Sequence, residues 1–377
     1  MKLPNSRTLG INLLLCLTSV SIFFGSGELL ARLQYTPQKK DSGSVFEYDR
    51  HKGFQLKKNL ESTFEGKPFM TNSFGHRSPE ISVEKPKSVK RILMLGDSIA
   101  FGHGVLDTET YAHFLEGSLN KNPPEGERFT FQTINTAAPM NFPSQEYYDL
   151  ERGLKFDPDV IVLQLTLNDI YDAPIFNDIT TPRHIDLVLK ERSALYLFLK
   201  DMHRRVQFQD PTGENIANKA KEMEIISLDL LMTDPNHPDV IFAWDETLGW
   251  LQKITDLAKD KDIPLVLMIT PYVLQFNTNE EISSPQRKLQ EFAKENDIIF
   301  VDLLEILKLL FADMVHPELT RGEITEEIIL ESFRNNPEKI ESFWNMLFMD
   351  YDHPTVDGNG LISSVLHTHI INALQNR

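Results

Sequence analysis

The chain has one cysteine in 377 residues. Cys16 alone cannot close a disulfide within the chain, and its isolation excludes a Cys-rich zinc site. Positive charge is also in short supply. Lys and Arg number 38 against 55 Asp and Glu, which leaves a formal charge of −17. Such a field repels phosphate backbones and anionic surfaces, so nucleic acid is not an expected partner. There is no internal repeat and no low-complexity tract. Hydrophobic residues make up 41% and charged residues 25%. That balance, with ample length for a core, excludes a disordered or fibrous chain.

Long apolar runs are absent except for one. Thr8 to Gly27 carries no charge, includes Leu13, Leu14, Leu15, Ile22, Phe23 and Phe24, and follows Lys2 and Arg7. About 20 apolar residues span a bilayer as a helix. Two readings stand: an uncleaved signal-anchor, or a signal peptide with Gly25 and Gly27 at the −3 and −1 positions of a cleavage site. Leu29, Leu30 and Leu33 continue the apolar face, which favours the anchor. Cys16 follows three leucines, a poor context for lipid attachment. Basic residues flank the run on both sides and do not decide its orientation. The expectation is a membrane-tethered protein, secreted if cleaved, with its catalytic part periplasmic or at the cell surface.

Three segments follow: residues 1–35 as the anchor, 36–88 as linker and N-terminal extension, and 89–377 as the main domain. In the last, short continuous apolar runs recur: RILML at 91–95, FQTINTAA at 131–138, VIVLQLTL at 160–167, PLVLMIT at 264–270 and IIFVDLL at 298–304. Runs buried on both faces suit a parallel sheet covered by helices. Asp107 or Thr108 can cap a helix that turns Tyr111, Phe114, Leu115 and Leu119 inward. Asp245 can cap another running to about Ala258. The alternation predicts an α/β, doubly wound, mainly parallel five-stranded sheet in a three-layer sandwich. Residues 171–243 and 305–345 exceed what crossovers need and read as helical insertions.

Three blocks fall beyond strand ends, where such folds place chemistry. Gly96-Asp97-Ser98 allows a sharp turn that exposes a hydroxyl, although these are also common turn residues. Leu167-Asn168-Asp169 offers an amide N–H to a developing oxyanion, or simply caps a loop. Asp350-Tyr351-Asp352-His353-Pro354 puts a carboxylate three residues before a histidine, a spacing that can fix the tautomer a general base needs. A cation site using Asp350 and Asp352 is the competing reading of this block.

Together the blocks resemble the SGNH/GDSL hydrolase family, in family order. RILMLGDSIAFGHGV, LKFDPDVIVLQLTLND and MDYDHPTVDGNGLI are similar to stretches of bacterial members. TNSFGHRSPE at 71–80 is similar to a segment that precedes the catalytic domain in a membrane-associated subset. The resemblance implies the flavodoxin-like SGNH fold. It implies Ser98 as nucleophile, His353 as general base and Asp350 as its orienter, with no metal or organic cofactor. Oxyanion donors would be the Ser98 backbone N–H, the Asn168 side chain and the backbone N–H of Met140, which stands where the family has glycine. Thr166 replaces a second family glycine. The implied activity is hydrolysis of an ester, including an O-acylated envelope glycan, through an acyl-enzyme. An O-acyltransferase with the same triad, and a non-enzymatic protein that kept the fold, are the alternatives. His103 reads as a surface or supporting histidine, and Trp244, Trp250 and Trp344 as core residues or sugar-stacking platforms. The apolar run Phe343–Met349 reads as packing against the sheet, or as a contact for an acyl chain.

Overall fold

The structure, a computed structural model, describes residues 6–34, 45–47, 49, 51–123, 129–171, 189, 193–207, 228–276 and 284–375. The start of the expected 36–88 linker and extension, residues 36–44, and much of the 171–243 insertion lie outside the described residues. In chain order come helix α1 (Ser6–Gln34), the two antiparallel pairs β1 (Phe46–Glu47) with β2 (Gln55–Leu56) and β3 (Glu61–Phe64) with β4 (Lys67–Met70), and strand β5 (Val89–Leu95). Then follow α2 (Ser98–Phe101), α3 (Tyr111–Lys121), β6 (Thr130–Asn135), α4 (Pro143–Gly153), β7 (Val160–Leu165) and α5 (Ala194–Gln207). The remainder is α6 (Pro238–Asp260), β8 (Leu265–Ile269), α7 (Val273–Phe276), α8 (Ser284–Glu295), β9 (Ile299–Asp302), α9 (Leu303–Val315), α10 (Glu326–Asn335), α11 (Pro337–Leu347) and α12 (Val356–Gln375).

The chain divides into two compact units. One comprises residues 1–44 and 179–223, and the other 45–178 and 224–377. In the first, Gly10–Gln34 of α1 is long and apolar enough to cross a membrane, at roughly 37 Å. Within the same unit, Glu28 caps α5. Its carboxylate accepts from Ser193 Oγ at 2.7 Å and from the backbone N–H groups of Ala194 and Leu195 at 3.0 Å.

The second unit is built on a five-stranded parallel sheet in the order β6-β5-β7-β8-β9. All six residues of β7 and all five of β8 are buried, which is why both read as unbroken apolar runs. Leu93, Leu95, Leu163 and Leu267 join the core formed with α4, α6 and α8. Helices α3, α9 and α12 pack on the strands or on one another away from that core, which completes three layers. The doubly wound α/β expectation holds. The turn before α3 is a short 3-10 segment, Asp107–Glu109, and the cap is Thr110, whose side chain accepts from His113 N–H at 3.2 Å. Asp245 is not a cap. It lies inside α6, which starts seven residues earlier at Pro238, a residue suited to a first helical turn, behind His237. The 305–345 region is helical, as α9, α10 and α11.

Residues 45–88 belong to the sheet-bearing unit. Arg77, in the TNSFGHRSPE segment, shows how they are held. Its buried guanidinium donates to Asp107 at 2.7 Å and to the carbonyls of Phe101, Gly102 and Val105 at 3.0, 2.6 and 2.8 Å. Those carbonyls follow directly on α2.

Candidate active site

Ser98 opens α2 just past the end of β5. The turn into it requires Gly96, whose φ is +149°. A Cβ there would lie 2.6 Å from Gln164 Oε1 and 2.7 Å from the Ala100 Cβ. Asp97, 2% exposed, caps α2 by accepting from Ile99 N–H at 2.9 Å. Gln164, fully buried in β7, accepts from Ala100 N–H at 3.2 Å and donates to Thr270 at 3.1 Å. Asn135 at the end of β6 donates to the Ala100 carbonyl at 2.7 Å. Three strands thus hold the short helix that presents Ser98.

The histidine comes from a tight loop between α11 and α12. Phe348 and Pro354 form an isolated antiparallel bridge, and Met349 N–H donates to the His353 carbonyl at 2.8 Å. Asp350 Oδ1 accepts from His353 N–H at 2.9 Å and from Asp352 N–H at 3.1 Å. This folds the Asp-x-x-His segment over its own carboxylate, and the imidazole reaches out with both nitrogens engaged. Nε2 lies 2.9 Å from Ser98 Oγ, and Nδ1 lies 2.9 Å from Asp350 Oδ2.

Two further groups complete the arrangement: Asp352, read from the sequence only as part of a competing cation site, and His103, read there as a surface or supporting histidine. Asp352, 1% exposed, brings Oδ1 to 3.1 Å from the same Nδ1. His103 stacks on His353, ring centroids 3.8 Å apart and planes 20° from parallel. Burial opposes charge on His353, but Asp352, Asp350 and Asp97 outweigh it and hold its pKa up at about 9. Asp350 is partly buried, which works against its charge. Even so, its hydrogen bond and charge pairing with His353 hold it well below the usual carboxylate range. His103 goes the other way, to about 3, through burial first and the His353 charge second. Beneath the site, burial pushes the carboxyls of Asp97, Glu146 and Asp169 up, each reinforced for the last two by neighbouring carboxylates.

The Asn168 block and the loop that carries Met140 each follow a strand. Asn168 lies in the 3-10 turn Leu167–Tyr171 after β7, and Asp169 Oδ2 accepts from Thr166 N–H at 2.8 Å. Met140, on the loop after β6, takes a left-handed backbone with φ +66° and leaves its side chain 57% exposed. This is the conformation its alignment with a glycine implies. Trp244 and Trp344 are buried at 4% and 3% exposure. In the apolar run, Phe343, Leu347 and Phe348 are buried, whereas Met346 and Met349 are exposed. The ligand atoms of Asp350, Asp352 and His353 lie within 4.8 Å of one another, a spacing a cation also accepts.

No protein-family model matches the chain, and no curated protein matches it. Among solved structures the chain is similar to an acetylxylan esterase from Geobacillus stearothermophilus, at 16% identity and TM-score 0.39, over 77% of this chain and 96% of that one. It is similar to a member of the lipolytic protein G-D-S-L family from Veillonella parvula, at 13% identity and TM-score 0.35, over 73% and 94%. It is also similar to a psychrotrophic esterase from Pseudoalteromonas, at 9% identity and TM-score 0.38, over 76% and 99%.

Proposed function

We propose that this chain is a serine hydrolase of the SGNH type that cleaves an ester through an acyl-enzyme. The observation that carries this reading is the relay from Ser98 Oγ to His353 Nε2, and from His353 Nδ1 to Asp350, with both contacts at 2.9 Å. A serine hydroxyl is a weak nucleophile until a neighbouring base takes its proton. In this reading Ser98 attacks the ester carbonyl while His353 accepts the proton, and Asp350 steadies the imidazolium that results. The tetrahedral oxyanion is met by the backbone N–H of Ser98, the backbone N–H of Met140 and the Asn168 side chain. His353 returns the proton to the leaving alcohol. Water then repeats the sequence on the acyl-enzyme and frees the acid and Ser98.

The apolar α1 supports a tethered enzyme with its catalytic part outside the cytoplasm. That placement makes an O-acylated glycan of the envelope the substrate class proposed. The test is labelling of the full-length protein in detergent with a fluorophosphonate, wild type against Ser98→Ala. Labelling that disappears in Ser98→Ala is the expected result. A folded wild type that never labels overturns the reading and leaves a protein that kept the fold without the activity.

A further inference from the structure

A cavity of about 290 Å³ lies between the β1–β2 region, the loop after β6 and α4. Neither Ser98 nor His353 lines it. In a chain of charge −17 its walls are cationic: among the described residues, Lys52, Lys58, Arg152 and Lys155 are set against Asp49 and Asp149, a local balance of 4 − 2 = +2.

The two carboxylates are already committed. Asp149 accepts from Lys52 Nζ through both oxygens, at 2.6 and 2.5 Å, and from Asn141 Nδ2 at 3.0 Å. Asp49 accepts from Arg152 at 2.8 Å and from the backbone N–H groups of His51 and Lys52 at 2.9 Å. Among the described residues, Lys58 and Lys155 therefore face the cavity without a carboxylate to balance them. Lys155 rests its ammonium over the faces of Phe74 and Phe156, 4.2 and 4.8 Å from the ring centroids. Aromatic faces are weak substitutes for an anion. Burial and then the charges of Lys58 and Arg152 push the Lys155 ammonium down.

His76 also lines the cavity. Its ring sits between Phe74 and Phe156, and its Nδ1, sealed from solvent, has no hydrogen-bond partner among the described residues. Burial, then Lys155, Lys52 and Lys58, hold this imidazole neutral, with a pKa of about 3. A neutral ring leaves the charge of this wall to the lysines, and a group carrying negative charge balances Lys58 and Lys155 together.

We propose that this cavity is a binding site for a small oxyanion, a phosphate or carboxylate group borne by a soluble ligand. The probe is inorganic phosphate, added to the full-length protein in detergent at constant ionic strength set with sodium chloride. At 10 mM it is expected to raise the melting temperature by about 2–4 °C, as a ligand with a dissociation constant on the order of 1 mM does. Sodium acetate at the same concentration separates the sources. A shift with both anions assigns a general oxyanion site, and a shift with phosphate alone assigns a phosphate site. The shift must fall at least tenfold in apparent affinity in Lys58→Gln and further in Lys58→Gln/Lys155→Gln. Lys58 is exposed, so its substitution leaves the fold intact. A phosphate shift no larger than that of chloride, or one unchanged in Lys58→Gln, overturns the proposal. Neither readout involves Ser98, so this site and the hydrolase reading fail separately.

Discussion

The imidazole of His103 lies flat on that of His353, ring centroids 3.8 Å apart. Two imidazolium rings cannot share that geometry at so short a distance. The charge goes to one of them, and the carboxylates decide which. Asp350 and Asp352 both address His353 Nδ1, whereas His103 has burial and a cationic neighbour against it.

Reactivity at Ser98 is expected to climb with pH. In the proposed mechanism the base is neutral His353, and its pKa of about 9 leaves mostly imidazolium at neutral pH. The labelling rate should rise roughly tenfold per pH unit below that midpoint and level off above it. Asp352→Asn removes one carboxylate from Nδ1, so the midpoint should move down. A pH–rate profile of fluorophosphonate labelling for both proteins checks this, and a flat profile between pH 7 and 9 contradicts it.

Stability should run opposite to reactivity. The folded pKa of His353, about 9, lies above its ordinary 6.5. Its contribution is therefore complete below about 6.5 and is lost as pH rises through about 9. Thermal unfolding between pH 6 and 10 should show this loss in wild type and little of it in His353→Gln.

Gly96→Ala is expected to destabilise by roughly 1–3 kcal/mol. The added methyl meets Gln164 Oε1 and the Ala100 Cβ, and φ is +149°. Urea denaturation reads the stability, and labelling should fall with it because Ser98 is two residues on.

Met140→Gly tests the opposite case. A non-glycine residue in the left-handed region costs roughly 1–2 kcal/mol, and glycine gives back about 0.5–1 through chain entropy. The side chain is 57% exposed, so little packing is lost. A net gain of up to about 1 kcal/mol in urea denaturation is expected, and a loss would show that the Met140 side chain packs favourably.

Arg77→Lys should cost about 3 kcal/mol. A lysine cannot reproduce the fork that meets Asp107 and three carbonyls behind α2. Loss of labelling at temperatures where wild type stays reactive is the second readout.

The sheet was legible because parallel strands buried on both faces leave continuous apolar runs, and β7 and β8 are such strands. β5 ends with its run, and β6, β7, β8 and β9 end one to three residues inside theirs. The start of α6 was misplaced because Asp245 offered a plausible cap while the His237-Pro238 pair carried the better signal. In the candidate site, the positions of Ser98 and the Asp350–His353 segment were legible because one follows a strand and the other precedes a helix. What was not legible depends on how the chain closes in space. Asp352 becomes a partner of His353 only once the loop closes over Asp350. His103 finds its stacking partner 250 residues later, and Gln164 meets α2 from another strand. Arg77 could have been suspected from its place in TNSFGHRSPE, but its targets are backbone carbonyls, which leave no mark in a sequence.

Ser98 and His353 are 255 residues apart in the chain. The helix that follows His353, α12, docks on α3, with Asn359 accepting from Tyr111 N–H at 2.9 Å and Ser118 meeting His367 at 2.9 Å. Under the proposed mechanism, Ser98 therefore leaves the ribosome long before its base, and it has none until the segment carrying His353 has been made and α12 has seated on α3. A chain cut between Ser98 and α12 is expected to be chemically silent.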